Sequence, residues 1–243
     1  MSLAVFLGPV TDARVGDVVV VEGDEARHAV VVRRTAVGEQ VVLADGAGTA
    51  ATCTVTATTK STLTATVDDV RRSDRPTPTV TVVQAIPKGE RAELAVEVLT
   101  EIGTDRIVPW AAARCVGVWR GERAAKSLAK WRATARESAK QSRRAWLPEV
   151  TEMATTAEVA DLLAGVDLAV VLHEAATDSL ADLPVAEATS IAVVVGPEGG
   201  LTDDELAALA PAHVVRTGDP VLRTSTAGVA AVAALLSRTS RWG

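Results

Sequence analysis

Aromatic residues are nearly missing from this chain: five Trp, one Phe and no Tyr make up 2% of its 243 residues. Its core must therefore be aliphatic, and the 48% of hydrophobic residues, rich in Val, Leu and Ala, can fill one or two domains. With few rings available for base stacking, any contact with nucleic acid falls to phosphate and shape. Cys53 and Cys115 are far apart and fit no metal spacing, which excludes a disulfide framework and a C-x-x-C module. His28, His173 and His213 are too scattered for a metal centre. G-x-S-x-G and H-E-x-x-H patterns are absent, so these hydrolase chemistries have no support. No apolar run approaches ~18 residues and the N-terminus lacks a basic n-region, so we expect a soluble cytoplasmic protein without a membrane partner. The formal charge of −6 excludes a uniformly basic nucleic-acid binder and leaves only a local patch.

What is present is concentrated between residues 191 and 236. A short apolar run at 191–195 suits a strand covered on both faces. Gly196-Pro197-Glu198-Gly199-Gly200 follows, where glycines permit positive φ and close approach of a ligand to the backbone. Thr202 and Glu205 form a capping box, so a helix starts at about Asp203. A second strand at 213–217 leads to a second turn, Gly218-Asp219-Pro220-Val221-Leu222-Arg223, and a closing helix from about Thr224. Two turns at the carboxyl ends of strands mark where an α/β domain binds its ligand. A plain strand-to-helix connection remains the alternative for the first turn taken alone. Glu198, Asp203 and Asp204 disfavour phosphate and suit a neutral or cationic ligand bearing hydroxyls or amines.

These two turns, with Thr224-Ser225-Thr226-Ala227 after them, resemble the SPOUT-class methyltransferases, and among those the family that methylates uracil N3 in small-subunit (16S) ribosomal RNA. The resemblance implies a knotted α/β domain with a parallel sheet, holding S-adenosylmethionine as methyl donor and no metal. It assigns the cofactor to Leu172, Gly196, Pro197, Glu198, Gly199, Gly200, Gly218, Val221 and Leu222. It also implies a homodimer through the C-terminal domain, using the Ala- and Val-rich last helix. The chain departs from the family pattern in three places: Ser225 where Glu is usual, Pro220 where a basic residue is common, and Val98 where Lys is common.

Elsewhere the order of elements is legible. Residues 1–72 read as a small all-β barrel, with short β-branched runs at 18–21, 30–32, 40–43, 51–58 and 63–67 divided by turn signals. His28, Arg33, Gly38, Asp45, Gly46 and Gly48 match the family's PUA-like RNA-binding domain. His28 also reads as a partly buried ring with a backbone partner, and Arg33-Arg34 as a solvated edge. The prolines and charges of 71–78 mark a boundary, with 73–78 as linker. From 79 to 243 strands alternate with helices, the sign of a parallel sheet. The helix at 89–102 is expected to place Leu94, Val98 and Ile102 on one face. Lys88, at a strand-to-helix turn, reads equally as an RNA contact or as an exposed side chain.

The densest positive charge lies between Arg120 and Arg144. On a helical wheel Lys126, Lys130, Arg132, Arg136, Lys140 and Arg144 share one half, and Leu128, Trp131, Ala135, Ala139, Ser142 and Trp146 the other. A solvated face is the ordinary fate of such a run. Inside a net-acidic protein it reads as an RNA backbone contact, with Lys130, Arg136 and Arg144 as its members. Glu137 and Gln141, at i and i+4, share a helical face and match the family pattern, which places them at the catalytic site with Arg223. Arg223 is the cation placed to favour the uracil anion, with a structural role at the turn carbonyls as its alternative. Another RNA substrate such as tRNA, or a non-catalytic RNA-binding assembly factor, are the competing functions.

Overall fold

The computed structural model describes residues 3–89, 91–117 and 119–242. The chain divides into two compact units, residues 1–75 with 139–147 and residues 76–138 with 148–243.

The first unit is a five-stranded sheet of β1 (Ala4–Leu7), β2 (Val18–Glu22), β3 (Gln40–Ala44), β4 (Thr49–Thr58) and β5 (Thr62–Arg72) in the order β1-β3-β4-β5-β2. Alternate residues face inward, as the strand period requires: Ala51, Cys53 and Val55 on β4 meet Leu63, Ala65 and Val67 on β5. Burial pushes the Cys53 thiol up to about 11, so it is an inert core residue. The strand expected at 30–32 is absent. Helix α1 (Gly23–Arg27) runs on into a π-helical turn at His28–Val32. Ala26 and Ala29, three apart, face the core and leave Val31 and Val32 exposed. A helical spacing of small residues thus outweighs the β preference of three consecutive valines.

Residues 139–147 complete this unit. Gly48 N–H donates to the Ala145 carbonyl and Leu147 N–H to that of Gly46, both at 2.9 Å. Trp146 Nε1 donates to the carbonyls of Ser73 and Asp74. Lys140, expected on the solvent half of its helix, is buried, with Nζ 2.9 Å from Glu25 Oε1. The same carboxylate oxygen accepts Leu7 N–H. A buried ammonium is tolerable only with such a partner, and position on a helical wheel does not reveal one.

The second unit is built on six parallel strands: β6 (Thr79–Ala85), β7 (Arg106–Trp110), β8 (Glu149–Val150), β9 (Leu168–Leu172), β10 (Ser190–Val195) and β11 (His213–Val215). Their order is β11-β9-β10-β6-β7-β8. Helices cover both faces, which is why β10 reads as an unbroken apolar run. Val80, Val82, Val193 and Val195 pack with α2 (Arg91–Glu101), α3 (Glu122–Gln141) and α6 (Thr224–Leu236). Val83, Val171, Ala192 and Val194 pack with α4 (Thr156–Ala164) and the region of α5 (Asp203–Ala208).

The buried face of α2 is not centred on Leu94 and Val98. Ala92, Ala95, Val96 and Leu99 are inward, and Leu94 is exposed. Helix α6 sets this choice, since a Cβ added at Gly228 would stand 3.1 Å from Leu99 Cδ2. Close helix approach favours the face with small residues over the one with bulky ones. Among the described residues no helix is long and apolar enough to cross a membrane.

Candidate active site

In the sheet of the second unit, Val195 is level with Leu172 on one side and Gln84 on the other, and Leu172 is level with Val215. The strands β9, β10 and β11 therefore deliver their loops at one height. A cavity of about 300 Å³ opens there, between residues 196–201 after β10 and residues 216–224 after β11. Leu172, Gly196, Pro197, Glu198, Gly200, Gly218, Val221, Leu222 and Arg223 line it.

The capping box expected at the start of α5 is present. Thr202 Oγ1 accepts Glu205 N–H at 3.2 Å, and Glu205 Oε2 accepts Thr202 N–H at 3.0 Å. Gly200 N–H donates to the Pro197 carbonyl at 2.9 Å and closes the turn, with φ of +73° at Gly200. Glu198 Oε1 accepts the backbone N–H of Lys88 at 3.3 Å. Gly199 does not line the cavity. A Cβ there would stand 2.9 Å from Arg114 Cβ, so the glycine admits Arg114 rather than a ligand. Across the cavity Arg223 is the residue before α6, which begins at Thr224, whose carbonyl accepts a hydrogen bond from the buried amide of Gln84.

Arg91, His173, Glu174, Arg216 and Asp219 also line the cavity. His173 and Glu174 could have been found by the rule that identified the two turns, because they follow β9 at its carboxyl end. Arg216 and Asp219 flank Gly218 and pair at 3.4 Å. Arg91, in the first turn of α2, carries no sequence signal that separates it from other exposed arginines. Carboxylates and guanidiniums both line the wall, so the cavity suits a ligand with groups of both signs. Ser225 is buried in α6 and is not part of the wall.

Other expected site residues lie elsewhere. Glu137 and Gln141 are exposed on α3 and line no part of this cavity; Gln141 belongs to the first unit. In the first unit His28 is half-buried, its ring edge-on to Phe6 at 6.0 Å. Arg33 and Arg34 are exposed beyond it, and Arg144 is half-exposed. In the second unit Lys88 and Arg136 are exposed, while Lys130 pairs with Glu93 at 2.8 Å. Burial pushes the Cys115 thiol up, so it offers no nucleophile. Among the described residues no group of three His, Cys, Asp or Glu could hold a metal ion.

Residues 74–236 match the RNA methyltransferase domain family, and residues 21–68 match the RNA methyltransferase PUA domain. The chain is 49% identical over 93% of its length to 89% of a Mycobacterium bovis protein named ribosomal RNA small subunit methyltransferase E. A Bacillus subtilis protein of the same name is 29% identical over 90% of each chain. Two solved structures superpose on nearly the whole chain. A methyltransferase from Legionella pneumophila with bound SAM gives a TM-score of 0.90 at 26% identity, covering 98% of this chain and 99% of that one. Ribosomal RNA small subunit methyltransferase E of Neisseria gonorrhoeae, bound to S-adenosyl methionine, gives 0.88 at 28%, covering 97% and 98%. The fold is the SPOUT-like one with a PUA-like first unit, as the resemblance of the two turns and the N-terminal pattern implied.

Proposed function

This chain belongs to the RNA methyltransferase family matched over residues 74–236, and on that premise we propose that it transfers the methyl group of S-adenosylmethionine to N3 of a specific uridine in small-subunit (16S) ribosomal RNA. The observation that carries this reading is the cavity between the two turns. Its volume stands at the lower end of the ~300–1,000 Å³ range of small-molecule sites. A Cβ at Gly218 would meet nothing closer than Pro220 Cδ at 3.9 Å, so the backbone there is open to a ligand. Leu172, Val221 and Leu222 supply apolar surface, and the Glu198 and Glu174 carboxylates can accept from hydroxyls or an amine and tolerate a cation.

When bound, S-adenosylmethionine supplies an electrophilic methyl group on a positively charged sulfur. The protein's own task is to hold the uracil ring and make N3 nucleophilic. N3 carries a proton and is a poor nucleophile while it does. The Arg223 guanidinium, at the cavity wall, lowers the energy of the anion by facing the charge that spreads onto the ring oxygens. Ser225 is buried and is not the base. Glu137 and Gln141, which the family pattern places in catalysis, line no part of this cavity, so we assign the N3 proton to solvent water. Lys88, Lys130 and Arg136 of the second unit hold the RNA backbone, as do His28, Arg33, Arg34 and Arg144 of the PUA-like unit; the exposure of Lys88, Arg33, Arg34 and Arg136 supports this. The working form is a homodimer through the second unit, supported by the half-exposed small face of α6 at Val229, Ala230 and Ala233. Light scattering at micromolar concentration tests it, and a monomer would reject it.

The test is methyl transfer from labelled S-adenosylmethionine by the purified protein to small ribosomal subunits, free 16S RNA and tRNA, with the product nucleoside identified by mass spectrometry. We expect N3-methyluridine in small-subunit RNA. Label in tRNA alone would replace the substrate, and RNA binding without label would make this an assembly factor.

A further inference from the structure

We propose that Arg114, which lies outside the cavity, is a positioning residue that holds the glycine turn in its cofactor-binding shape. The inference rests on the methyltransferase reading. Arg114 follows β7, and its Nη1 donates to the carbonyls of both Gly199 and Leu201, at 3.1 and 3.3 Å. A turn with Gly199 and Gly200 in sequence has more accessible backbone conformations than any other pair would allow. Each peptide unit is planar, so fixing a carbonyl fixes the following N–H on the opposite side. Anchoring the Gly199 carbonyl thus directs Gly200 N–H to the Pro197 carbonyl, where it is found. Anchoring the Leu201 carbonyl directs Thr202 N–H to Glu205 Oε2.

The neighbouring residue grips the turn from its far end. Ala113 N–H donates to Glu205 Oε1 at 2.7 Å, and Glu205 is buried at 5% exposure. Two consecutive residues of one loop therefore hold the start and the end of the turn, through independent bonds. The space left at Gly199 has this purpose, since a Cβ would collide with the Cβ and approach the carbonyl oxygen of Arg114. The ordering cost of a mobile glycine turn would otherwise fall on ligand binding. Arg114 pre-empts that cost without touching the ligand.

The test compares Arg114→Met, which keeps the apolar stem, with Arg114→Lys, which restores one donor. Binding of S-adenosylhomocysteine is measured by calorimetry, and exchange of the Gly200 amide is measured in the ligand-free protein. We expect Arg114→Met to weaken binding about tenfold, to speed Gly200 exchange, and to leave turnover at saturating cofactor and the KM for RNA close to wild type. Arg114→Lys should recover most of the affinity. Wild-type affinity and exchange in Arg114→Met would overturn the role, as would a fall in turnover rather than affinity. If Arg114→Met lowers the melting temperature, Glu205→Gln supplies the second arm. It weakens the other grip and must also lower affinity, and normal affinity there overturns the proposal. A wild type that binds no S-adenosylhomocysteine would sink the methyltransferase reading, and this inference with it.

Discussion

Residues 196–202 are tied from three directions: Glu198 to Lys88, Gly199 and Leu201 to Arg114, and the capping box at Thr202 and Glu205. Residues 218–223 form the opposite wall of the same cavity, yet Val221 is 79% exposed and Leu222 is 38% exposed. The bonds that fix this second turn stand at its ends, with Arg216 and Asp219 on one side and Gln84 to Thr224 on the other. One wall is braced by hydrogen bonds from other parts of the chain, and the other keeps apolar side chains in water. A site that takes two ligands of different size divides its labour in this way: a preformed wall gives affinity for the small one, and an adaptable wall awaits the large one.

The greatest effect should come from the adaptable wall. Arg223→Ala is expected to lower single-turnover methyl transfer by ~10²–10³, as for loss of a charge-stabilising donor, while cofactor affinity changes little. Arg223→Lys should restore only part, because an ammonium cannot form the planar fork. Near-normal turnover in Arg223→Ala would remove it from the mechanism and weaken the contrast.

An intermediate effect separates the walls by glycine. Gly199→Val must displace Arg114, so both the melting temperature and cofactor affinity should fall, the latter by at least about tenfold. Gly218→Ala faces open space, so its melting temperature should stay near wild type and only affinity should drop. Calorimetry and thermal unfolding of the pair check this, and the reverse order of stability losses would break the comparison.

The smallest effect is expected far from both walls, at the amino ends of β9 and β10. Asp167 Oδ2 accepts bonds from Thr189 Oγ1, Thr189 N–H and Ser190 N–H. The Thr189 hydroxyl, with the other donors, holds its carboxyl down at about 2. A carboxylate depressed on folding stabilises above its unfolded pKa of ~3.9, and this is lost as pH falls through the folded value. Asp167→Asn should therefore lower the melting temperature by a few degrees at pH 7. The gap to wild type should close between about pH 4 and pH 2, and turnover at pH 7 should not change. A gap that persists at pH 2 would assign the effect to the Asn side chain rather than to lost charge.

Much of the site could be read in advance because it is local. The glycine turn, the capping box and the strand before them are fixed by neighbours in sequence, and all of them lie where the pattern placed them. Long-range matters were not legible. Nothing in residues 111–117 announces that Arg114 would brace a turn more than eighty residues later. Leu94, Val98 and Ile102 stood out as one face of the helix because bulk is visible in a sequence, whereas the close approach of α6 at Gly228, which meets Leu99, is not. Residues 30–32 looked like a strand because their propensity is local, and the burial of Ala26 and Ala29 that decides the matter is tertiary.

Residues 139–147 have a consequence for how this protein can be taken apart. The hydrogen bonds of Gly46, Gly48 and Ser73 to this segment make the first unit discontinuous in sequence, with more than sixty residues of the second unit inserted between its parts. A single cut after residue 75 therefore liberates neither module whole. The amino-terminal fragment would lose a bonded edge and leave Glu25 without its cation, and the carboxyl-terminal fragment would carry Lys140 and Trp146 with nothing to cover them. Gene fusions or recombination events that exchange this PUA-like unit for another would have to transfer two separated stretches together. Such exchange by a single crossover is closed to this architecture.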